Sequence, residues 1–272
     1  MDLGLTGKIA LVVGAGSDVG RAAALSLARE GATPILSGRR REALEETAHS
    51  IEAAGGKVHV LPGDARDPAD VARMVAEAHA FAGRIDLLVN TVGPYPLPEL
   101  YPDVPEPMYG NDASWAAIFD NVFMPAARLT REVMPLMKAL GAGAIVHLAA
   151  NSARYFNPAT AQYAAMKAAL IHATKNWARD GGKHGVRVNA VMPGWIKGEG
   201  TAARVAAAAA ALGATEAEAE RAMVSAHDGL FWSPRMGRVE EYADAIVFLL
   251  SERAGYINGA LLPIDGGTPV WG

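Results

Sequence analysis

The chain has 272 residues, of which 51% are hydrophobic, with a formal net charge of −4 and no cysteine. This length suits one α/β domain with a sizeable core, while the slight excess of acid argues against a nucleic-acid partner. The lack of cysteine excludes disulfides and thiolate metal sites. Residues 1–8 do not resemble a signal peptide, and no apolar run approaches the roughly 18 residues of a membrane span. We therefore expect a cytoplasmic protein with no membrane partner.

The beginning of the chain has the pattern of a strand, a glycine-rich turn and a helix. Residues 8–13 form a continuous apolar run, the turn follows at 14–20, and an alanine-rich helical pattern covers 21–30. Glycines let a backbone approach a pyrophosphate, and a helix start offers it free N–H groups. The turn therefore indicates a nucleotide phosphate site, with a tight turn of no ligand role as the alternative.

A second predicted strand, 33–37, ends in a basic cluster. Gly38 is followed by Arg39, Arg40 and Arg41, at a place where a carboxylate usually reads the ribose 2′-hydroxyl of a dinucleotide. An arginine suits a 2′-phosphate instead. Arg39 lies nearest the strand end and is the candidate for that contact, whereas a solvated charge cluster is the alternative interpretation.

Strands and helices continue to alternate up to residue 90. A helix over 40–54, a strand over 57–61, a helix that Asp67 caps and a strand over 85–90 predict a parallel sheet with helices on both faces. Ligands bind beyond the carboxyl ends of the strands in such sheets. Asp64 and Asn90 fall there, although an Asx turn explains either residue equally well.

The next segment, 94–111, is rich in proline and tyrosine and includes Tyr95. We interpret it as a stiff loop over the site. A helix over about 112–140 follows and contains Asn121. Pro125 and Pro135 predict kinks or breaks in that helix.

The pattern is centred on the apolar strand over 144–150 and on the helix after it, which carries Tyr163 and Lys167. Residues four apart lie on one helix face, so the phenol and the ammonium can share one small volume. A cation beside a tyrosine favours the phenolate, which suits that group to proton transfer.

The pattern changes after a sixth strand over 186–191. Residues 195–235 are alanine-rich and then charged, which indicates a mobile lid over a substrate pocket. An exposed helical hairpin is the alternative. An apolar helix over 239–250 and a last strand over 260–264 complete what we interpret as one domain over residues 1–272.

In combination these residues resemble the short-chain dehydrogenase/reductase family over essentially the whole chain. Its motifs occur here in the family's order: the turn at 14–20, Asp64, residues 90–93, Asn121, Tyr163 with Lys167, Asn189, Pro193 with Gly194, and residues 265–267. The resemblance implies a single-domain Rossmann fold with a doubly wound, seven-stranded parallel sheet in the order 3-2-1-4-5-6-7. It also implies hydride exchange between a nicotinamide and a secondary alcohol or ketone.

The resemblance further implies residue roles. Tyr163 would be the acid/base, Lys167 would hold the nicotinamide ribose and lower the tyrosine pKa, and Asn121 would keep a relay water in place. The other cofactor-binding residues implied in this way are Gly14, Ser17, Asp18, Val19, Gly20, Asp64, Ala65, Asn90, Gly93, Pro193, Gly194 and Ile196.

Two departures from the family concern the cofactor. Asp18 stands where the family has a glycine, and it places an anion near bound phosphate unless its side chain turns outward or takes a ribose hydroxyl. Thr91 replaces the second of two paired asparagines, which we expect to be tolerated. The preference for NADP(H) is predicted from Arg39, which stands where a carboxylate would read a ribose 2′-hydroxyl, and NAD(H) is the alternative.

The other departures concern the substrate. Ala150 occupies the position of the family's catalytic serine, so the substrate carbonyl needs another hydrogen-bond donor. Ser152 and the adjacent Asn151 are the candidates, and we favour Ser152. Gly198 stands where the family often has a threonine that contacts the carboxamide of the nicotinamide. Thr201 is a candidate to replace that threonine.

These features predict an NADP(H)-dependent oxidoreductase with an apolar or ring-containing small-molecule substrate. Tyr95 and Trp195 are placed to border the pocket, with local packing as the alternative. Because of Ala150, a non-redox isomerase or lyase, or a nucleotide-binding protein, remains the alternative function. The seven histidines form no ligand motif, so we expect no catalytic metal. The resemblance implies a homotetramer or homodimer that pairs through the Tyr163 helix and the helix before it.

Overall fold

The computed structural model describes residues 1–93, 108–155, 160–226 and 232–268. Its strands are β1 (Ile9–Val13), β2 (Thr33–Ser37), β3 (His59–Val60), β4 (Leu87–Asn90), β5 (Gly143–Leu148), β6 (Val186–Pro193), β7 (Ile196–Lys197), β8 (Gly237–Arg238) and β9 (Leu261–Ile264). Its helices are α1 (Asp18–Arg29), α2 (Arg41–Ala53), α3 (Pro68–Ala82), α4 (Asp112–Ile118), α5 (Met124–Leu140), α6 (Ala161–Gly182), α7 (Glu199–Leu212), α8 (Glu216–Ser225) and α9 (Val239–Leu250).

Seven of the strands form one parallel sheet in the order β3-β2-β1-β4-β5-β6-β9. This confirms the predicted architecture and strand order, with β9 as the seventh strand of the sheet. The two-residue strands β7 and β8 pair with each other in a separate small sheet.

Apolar layers cover both faces of the sheet. Successive side chains of a strand point to opposite faces, so Val12 packs toward α1 and α9, whereas Leu11 and Val13 pack toward α3 and α5. A strand that is buried on both faces has a continuous apolar sequence rather than an alternating one. This double burial explains the unbroken apolar run of β1 and the largely apolar sequence of β5.

The predicted helix over 112–140 has three parts. α4 leads into a π-helical turn, Phe119–Phe123, and α5 follows. Pro125 has no N–H for the helical ladder, and the irregular turn lies immediately before its helix. Pro135 is inside α5, so the helix continues through the second proline, contrary to a break there.

None of the helices in the described part of the chain is long and apolar enough to cross a bilayer.

Candidate functional site

The glycine turn joins β1 to α1 at the carboxyl edge of the sheet. Gly14 has a φ of +92°, and a Cβ atom there would overlap Thr91 Oγ1, while one on Gly20 would overlap the Gly14 carbonyl. Ser17 precedes α1 without a side-chain capping hydrogen bond, so the first-turn N–H groups need another acceptor. The turn thus has the shape and the donors of an anion site.

Thr91 has a structural role in this turn. Its N–H and its hydroxyl both donate to the Val13 carbonyl, each at 3.0 Å. The hydroxyl therefore ties β4 to the end of β1 under the turn. This bond gives a physical reason to expect tolerance of threonine at this position.

Asp18 is the first residue of α1 and has a φ of +44°, the one non-glycine in the described residues with a positive φ. Its Oδ1 accepts a hydrogen bond from the Glu199 N–H at 2.8 Å. The side chain is therefore turned outward, toward the start of α7, which is one of the two arrangements expected from the sequence.

Asp64 and Ala65 follow β3 at the same edge. Arg66 donates to both oxygens of Asp64 at 2.5–3.0 Å, and this hydrogen bonding, with the charges of Arg66 and Arg39, lowers the pKa of Asp64 although burial opposes it. Ala65 is buried. The spacing Asp64-x-Arg66 was the available sequence signal for a pair that the sequence analysis missed.

Arg39 is exposed at the end of β2 and acts on Asp64 through its charge. The open groove beside Gly16 is lined by its neighbour Arg40, and the carboxylates of Glu42, Glu46 and Glu199 share that groove. The two arginines thus face different surroundings, and the acids reduce the positive charge near Arg40.

Tyr163 and Lys167 come together on α6 as the spacing predicts. The Lys167 side chain is 1% exposed, its Nζ lies 5.5 Å from the centroid of the Tyr163 ring, and it donates to the Leu148 carbonyl at 2.7 Å. A Cβ atom on Gly93 would approach Nζ to 2.9 Å. Burial lowers the pKa of Lys167 to about 7.

His147 is a buried polar residue that the sequence analysis did not select. It is 0% exposed, with Nδ1 at 3.4 Å from Asn90 Nδ2 and Nε2 at 3.2 Å from Thr130 Oγ1. Asn90 Oδ1 accepts from the Val92 N–H at 3.0 Å, so Asn90 Nδ2 donates and the His147 proton belongs on Nε2. A lone histidine in an apolar strand was the available signal.

The protonation state of His147 follows from its surroundings. Burial, and then the charge of Lys167, lower the pKa of His147 to about 3. The imidazole is therefore neutral near neutral pH, and it links Asn90 on β4 to Thr130 on α5. His147 thereby fixes the orientation of a predicted cofactor-binding amide.

The turn after β5 contains Ala150 and the two candidate donors, Asn151 and Ser152. Ala150 packs with Tyr163 and Val122 in one apolar cluster. Asn151 Nδ2 donates to Thr268 Oγ1 at 3.0 Å. Ser152 Oγ is buried and makes no hydrogen bond within the described residues.

Asn121 lies half-buried in the π-helical turn, next to Val122 of the Tyr163 cluster. Pro193 ends β6, and the Gly194 N–H donates to the Ile264 carbonyl at 2.9 Å. Ile196 begins β7 opposite Gly237. Pro193 and Gly194 therefore lie at the carboxyl end of β6, and the predicted roles of these four residues remain predictions.

Trp195 and Tyr95 are the predicted substrate-side aromatics. Trp195 packs against an apolar cluster that includes Val205 of α7 and Ala219 of α8, so local packing accounts for part of its burial. Tyr95 lies outside the described residues.

The segment 195–235 contains a helical hairpin, α7–α8. A small apolar cluster that includes Val205, Ala219 and Val224 forms the core of this hairpin. Glu220 is 7% exposed and accepts from Lys197 Nζ at 2.7 Å and from the Met236 N–H at 2.8 Å. This carboxylate ties the hairpin to the strands on either side of it. Thr201 lies in the first part of α7.

A family model described as enoyl-(acyl carrier protein) reductase matches residues 14–269. The 3-oxoacyl-(acyl-carrier-protein) reductase FabG of Thermotoga maritima is 32% identical over 98% of this chain and 99% of its own. Gluconate 5-dehydrogenase of Gluconobacter oxydans is 31% identical over 98% of this chain and 96% of its own. The crystal structure of L-sorbose reductase from Gluconobacter frateurii, complexed with NADPH and L-sorbose, has a TM-score of 0.86 and 31% identity over 98% of each chain.

Proposed function

The chain belongs to the short-chain dehydrogenase/reductase family and is an NAD(P)-dependent oxidoreductase, and on that premise we propose an NADP(H)-dependent enzyme that interconverts a secondary alcohol and a ketone. We propose a substrate with an apolar or ring-containing body. The observation that carries the proposal is the buried Lys167 ammonium 5.5 Å from the Tyr163 ring.

The described residues fit a nicotinamide dinucleotide. Side chains at Gly14 and Gly20 would overlap the backbone or Thr91, and α1 starts without a side-chain cap, which suits a closely bound pyrophosphate. When bound, the dinucleotide supplies or accepts the hydride. Further residues are assigned to its parts: Ser17, Asp18 and Val19 to the pyrophosphate and adenosine ribose, Asp64 and Ala65 to the adenine, Asn90, Gly93 and Lys167 to the nicotinamide ribose, and Pro193, Gly194 and Ile196 to the carboxamide.

Proton transfer is assigned to the Tyr163 hydroxyl. In the direction of reduction, this hydroxyl gives its proton to the carbonyl oxygen of the substrate, and in oxidation it takes the proton back. The Lys167 charge favours the phenolate that remains after donation. The half-buried Asn121 holds a water that returns a proton to the site.

Ser152 is assigned as the donor to the substrate carbonyl. Its buried Oγ has no partner within the described residues, whereas Asn151 is bonded to Thr268. A buried hydroxyl without a partner costs free energy unless a ligand satisfies it. A substrate oxygen would supply the missing partner.

The assignment of Ser152 as the donor is tested by removing its hydroxyl and by introducing a hydroxyl at position 150. Ser152→Ala should lower kcat/KM by about 100-fold, as loss of a donor to a developing oxyanion does, and Ala150→Ser should restore part of that activity. Ser50→Ala, on the exposed face of α2, is the matched control. Full activity in Ser152→Ala would refute the assignment, and a large loss in Ala150→Ser alone would show that position 150 is not the vacant serine site.

The NADP(H) preference is assigned to Arg39. Its exposed guanidinium is at the end of β2, where it acts on Asp64, and the relative named for L-sorbose was solved with NADPH. Arg39→Asp should shift the ratio of kcat/KM values toward NADH by several-fold or more. Arg40→Asp is the neighbouring comparison, and a larger shift in that variant would move the 2′-phosphate to the groove beside Gly16.

The overall function is tested with purified protein, NADPH and a panel of ketones. The relatives are named for an acyl-carrier-protein thioester, for gluconate and for L-sorbose, so the panel pairs cyclic and aryl ketones with polyhydroxylated ones. Loss of NADPH absorbance with the ring ketones is the expected result. Turnover of polyhydroxylated ketones alone would refute the proposed substrate class, and no turnover of any ketone would refute the function.

A non-redox isomerase or lyase is the second candidate, and the alanine at position 150 is the observation that favours it. Such an enzyme would convert its substrate while the NADPH absorbance stays constant. The same assay, with the products analysed separately, distinguishes the two functions.

We further propose a homotetramer or homodimer that pairs through α5 and α6. The alanines at positions 164, 165, 168 and 169 of α6 are only partly buried within one chain, and small side chains permit the close approach of another helix. Sedimentation analysis at low protein concentration tests this assembly, and a monomer would contradict it.

A further inference from the structure

Asp18 connects two parts of the chain that are distant in sequence. Its Oδ1 accepts from the Glu199 N–H at 2.8 Å, across 181 positions. Glu199 is the first residue of α7, and the preceding residue, Gly198, has no side chain with which to cap that helix. The carboxylate of Asp18 therefore takes the place of an N-cap for α7.

Both ends of this contact are shaped for it. Asp18 has a positive φ of +44°, which among residues other than glycine is tolerated best by aspartate and asparagine. A Cβ atom on Gly198 would overlap the Asp18 carboxylate. The bond thus depends on a particular residue in the glycine turn and on a particular residue before α7.

The position of Asp18 also sets up a competition. The first-turn N–H groups of α1 have no cap from Ser17, and they are the proposed donors to the pyrophosphate. If α7 moved away, the freed carboxylate of Asp18, the acidic residue in the first turn of α1, would be attracted to that same helix start. While α7 is docked, the carboxylate is bound elsewhere and the donors remain available.

We infer that Asp18 is a positioning residue that couples the docking of α7 to the binding of a pyrophosphate group in the glycine turn. This inference rests on the proposed dinucleotide function. Repulsion between the bound phosphate and the carboxylate favours the arrangement in which Asp18 caps α7. The cofactor and the α7–α8 hairpin therefore stabilise each other's bound position.

The first test is site-resolved hydrogen exchange of the Glu199 amide without any ligand. Asp18→Gly should accelerate this exchange by about fivefold, the equivalent of a typical N-cap contribution. Asp18→Asn keeps the acceptor oxygen and should remain within about twofold of the original protein, because the two residues are comparable caps. The Glu218 amide, which Thr215 caps within the hairpin, is the internal control and should not change.

A variant at the other end of the contact provides an independent check. Gly198→Ala should accelerate exchange of the Glu199 amide as Asp18→Gly does, because the new methyl group displaces the carboxylate. In the Asp18→Gly background the same alanine should have little further effect, since the atom it collides with is gone. Additive effects of the two substitutions would overturn the inference.

The second test adds NADPH. In the original protein NADPH should slow exchange of the Glu199 amide several-fold further, in Asp18→Asn it should do so less, and in Asp18→Gly it should have no such effect. If Asp18→Gly does not accelerate exchange without ligand, or if bound NADPH leaves the Glu199 amide unchanged in the original protein, the coupling is refuted. If NADPH does not bind at all, the proposed dependence on NADP(H) is refuted together with the coupling to it, whereas the ligand-free exchange still reports separately on the bond between Asp18 and Glu199.

Discussion

The edge of the sheet around Lys167 and the α7–α8 hairpin each bury a charged side chain, but only the one in the hairpin has a partner of opposite charge. Lys167 is 1% exposed, its acceptor is a backbone carbonyl, and no carboxylate in the described chain forms an ion pair with it. Glu220 is 7% exposed and is paired with Lys197. Burial raises the pKa of Glu220, but the hydrogen bonds from Lys197 and Met236 together lower it by more. The pKa of Glu220 is therefore below its usual value.

The presence or absence of an ion pair distinguishes a site that can bind a ligand from a contact that holds the hairpin to the rest of the chain. A buried ammonium without a counter-ion is costly in the free protein, and a ligand with acceptor oxygens can satisfy it. A buried carboxylate that is already paired has little to offer a ligand. We therefore expect substitutions at the edge to change catalysis and pH dependence, and substitutions in the hairpin to change its attachment.

The largest effect is expected at Tyr163. Tyr163→Phe removes the acid/base hydroxyl and keeps the ring that packs beside Val122 and Ala150, so kcat should fall by about 1,000-fold, within the usual range for a general acid, with an unchanged melting temperature. Tyr256→Phe, at a fully exposed tyrosine, is the matched control. Retention of most of the activity in Tyr163→Phe would place the proton transfer elsewhere.

A second expected effect concerns the pH dependence of stability at Lys167. Its pKa is lowered from 10.5 to about 7 in the folded protein, so between these values the unfolded chain binds more protons than the folded one. The free energy of unfolding should therefore rise with pH across this window, by up to about 1.4 kcal/mol per pH unit. Urea titrations of the original protein and of Lys167→Met, in which that contribution is absent, measure the difference. Equal pH slopes in the two proteins would show that Lys167 is not desolvated as described.

The sequence predicted one part of this edge and missed another for physical reasons. Tyr163 and Lys167 are four residues apart on one helix, so local geometry alone brings them together. The parallel sheet was predictable because strands buried on both faces have continuous apolar sequences. The contacts of His147 join three elements, and the partner of Asp18 lies 181 positions away. No local pattern encodes such pairs, because the packed fold creates them.

His147 provides the next prediction. His147→Leu removes the acceptor for Asn90 Nδ2 and the donor to Thr130 Oγ1, which leaves buried polar groups unpaired and should cost about 2–3 kcal/mol of unfolding free energy. Because Asn90 is assigned to the nicotinamide ribose, KM for NADPH should also rise. His79→Leu, on a helix surface facing partly to solvent, is the control for loss of an imidazole. A stable variant with unchanged KM would show that the network does not position Asn90.

The smallest effect is expected in the hairpin. Glu220→Gln keeps an acceptor for the Met236 N–H but loses the ion pair with Lys197, so the unfolding free energy should fall by about 1 kcal/mol, more than for an exposed pair. Glu252→Gln breaks the exposed pair with Lys8 and should cost less than about 0.5 kcal/mol. Hydrogen exchange should increase in α8 of Glu220→Gln, while the amides of β5 around His147 keep their protection. An equal loss of protection in α8 and β5 would mean that the hairpin and the sheet unfold together, which would remove the distinction between a reactive edge and a separately attached hairpin.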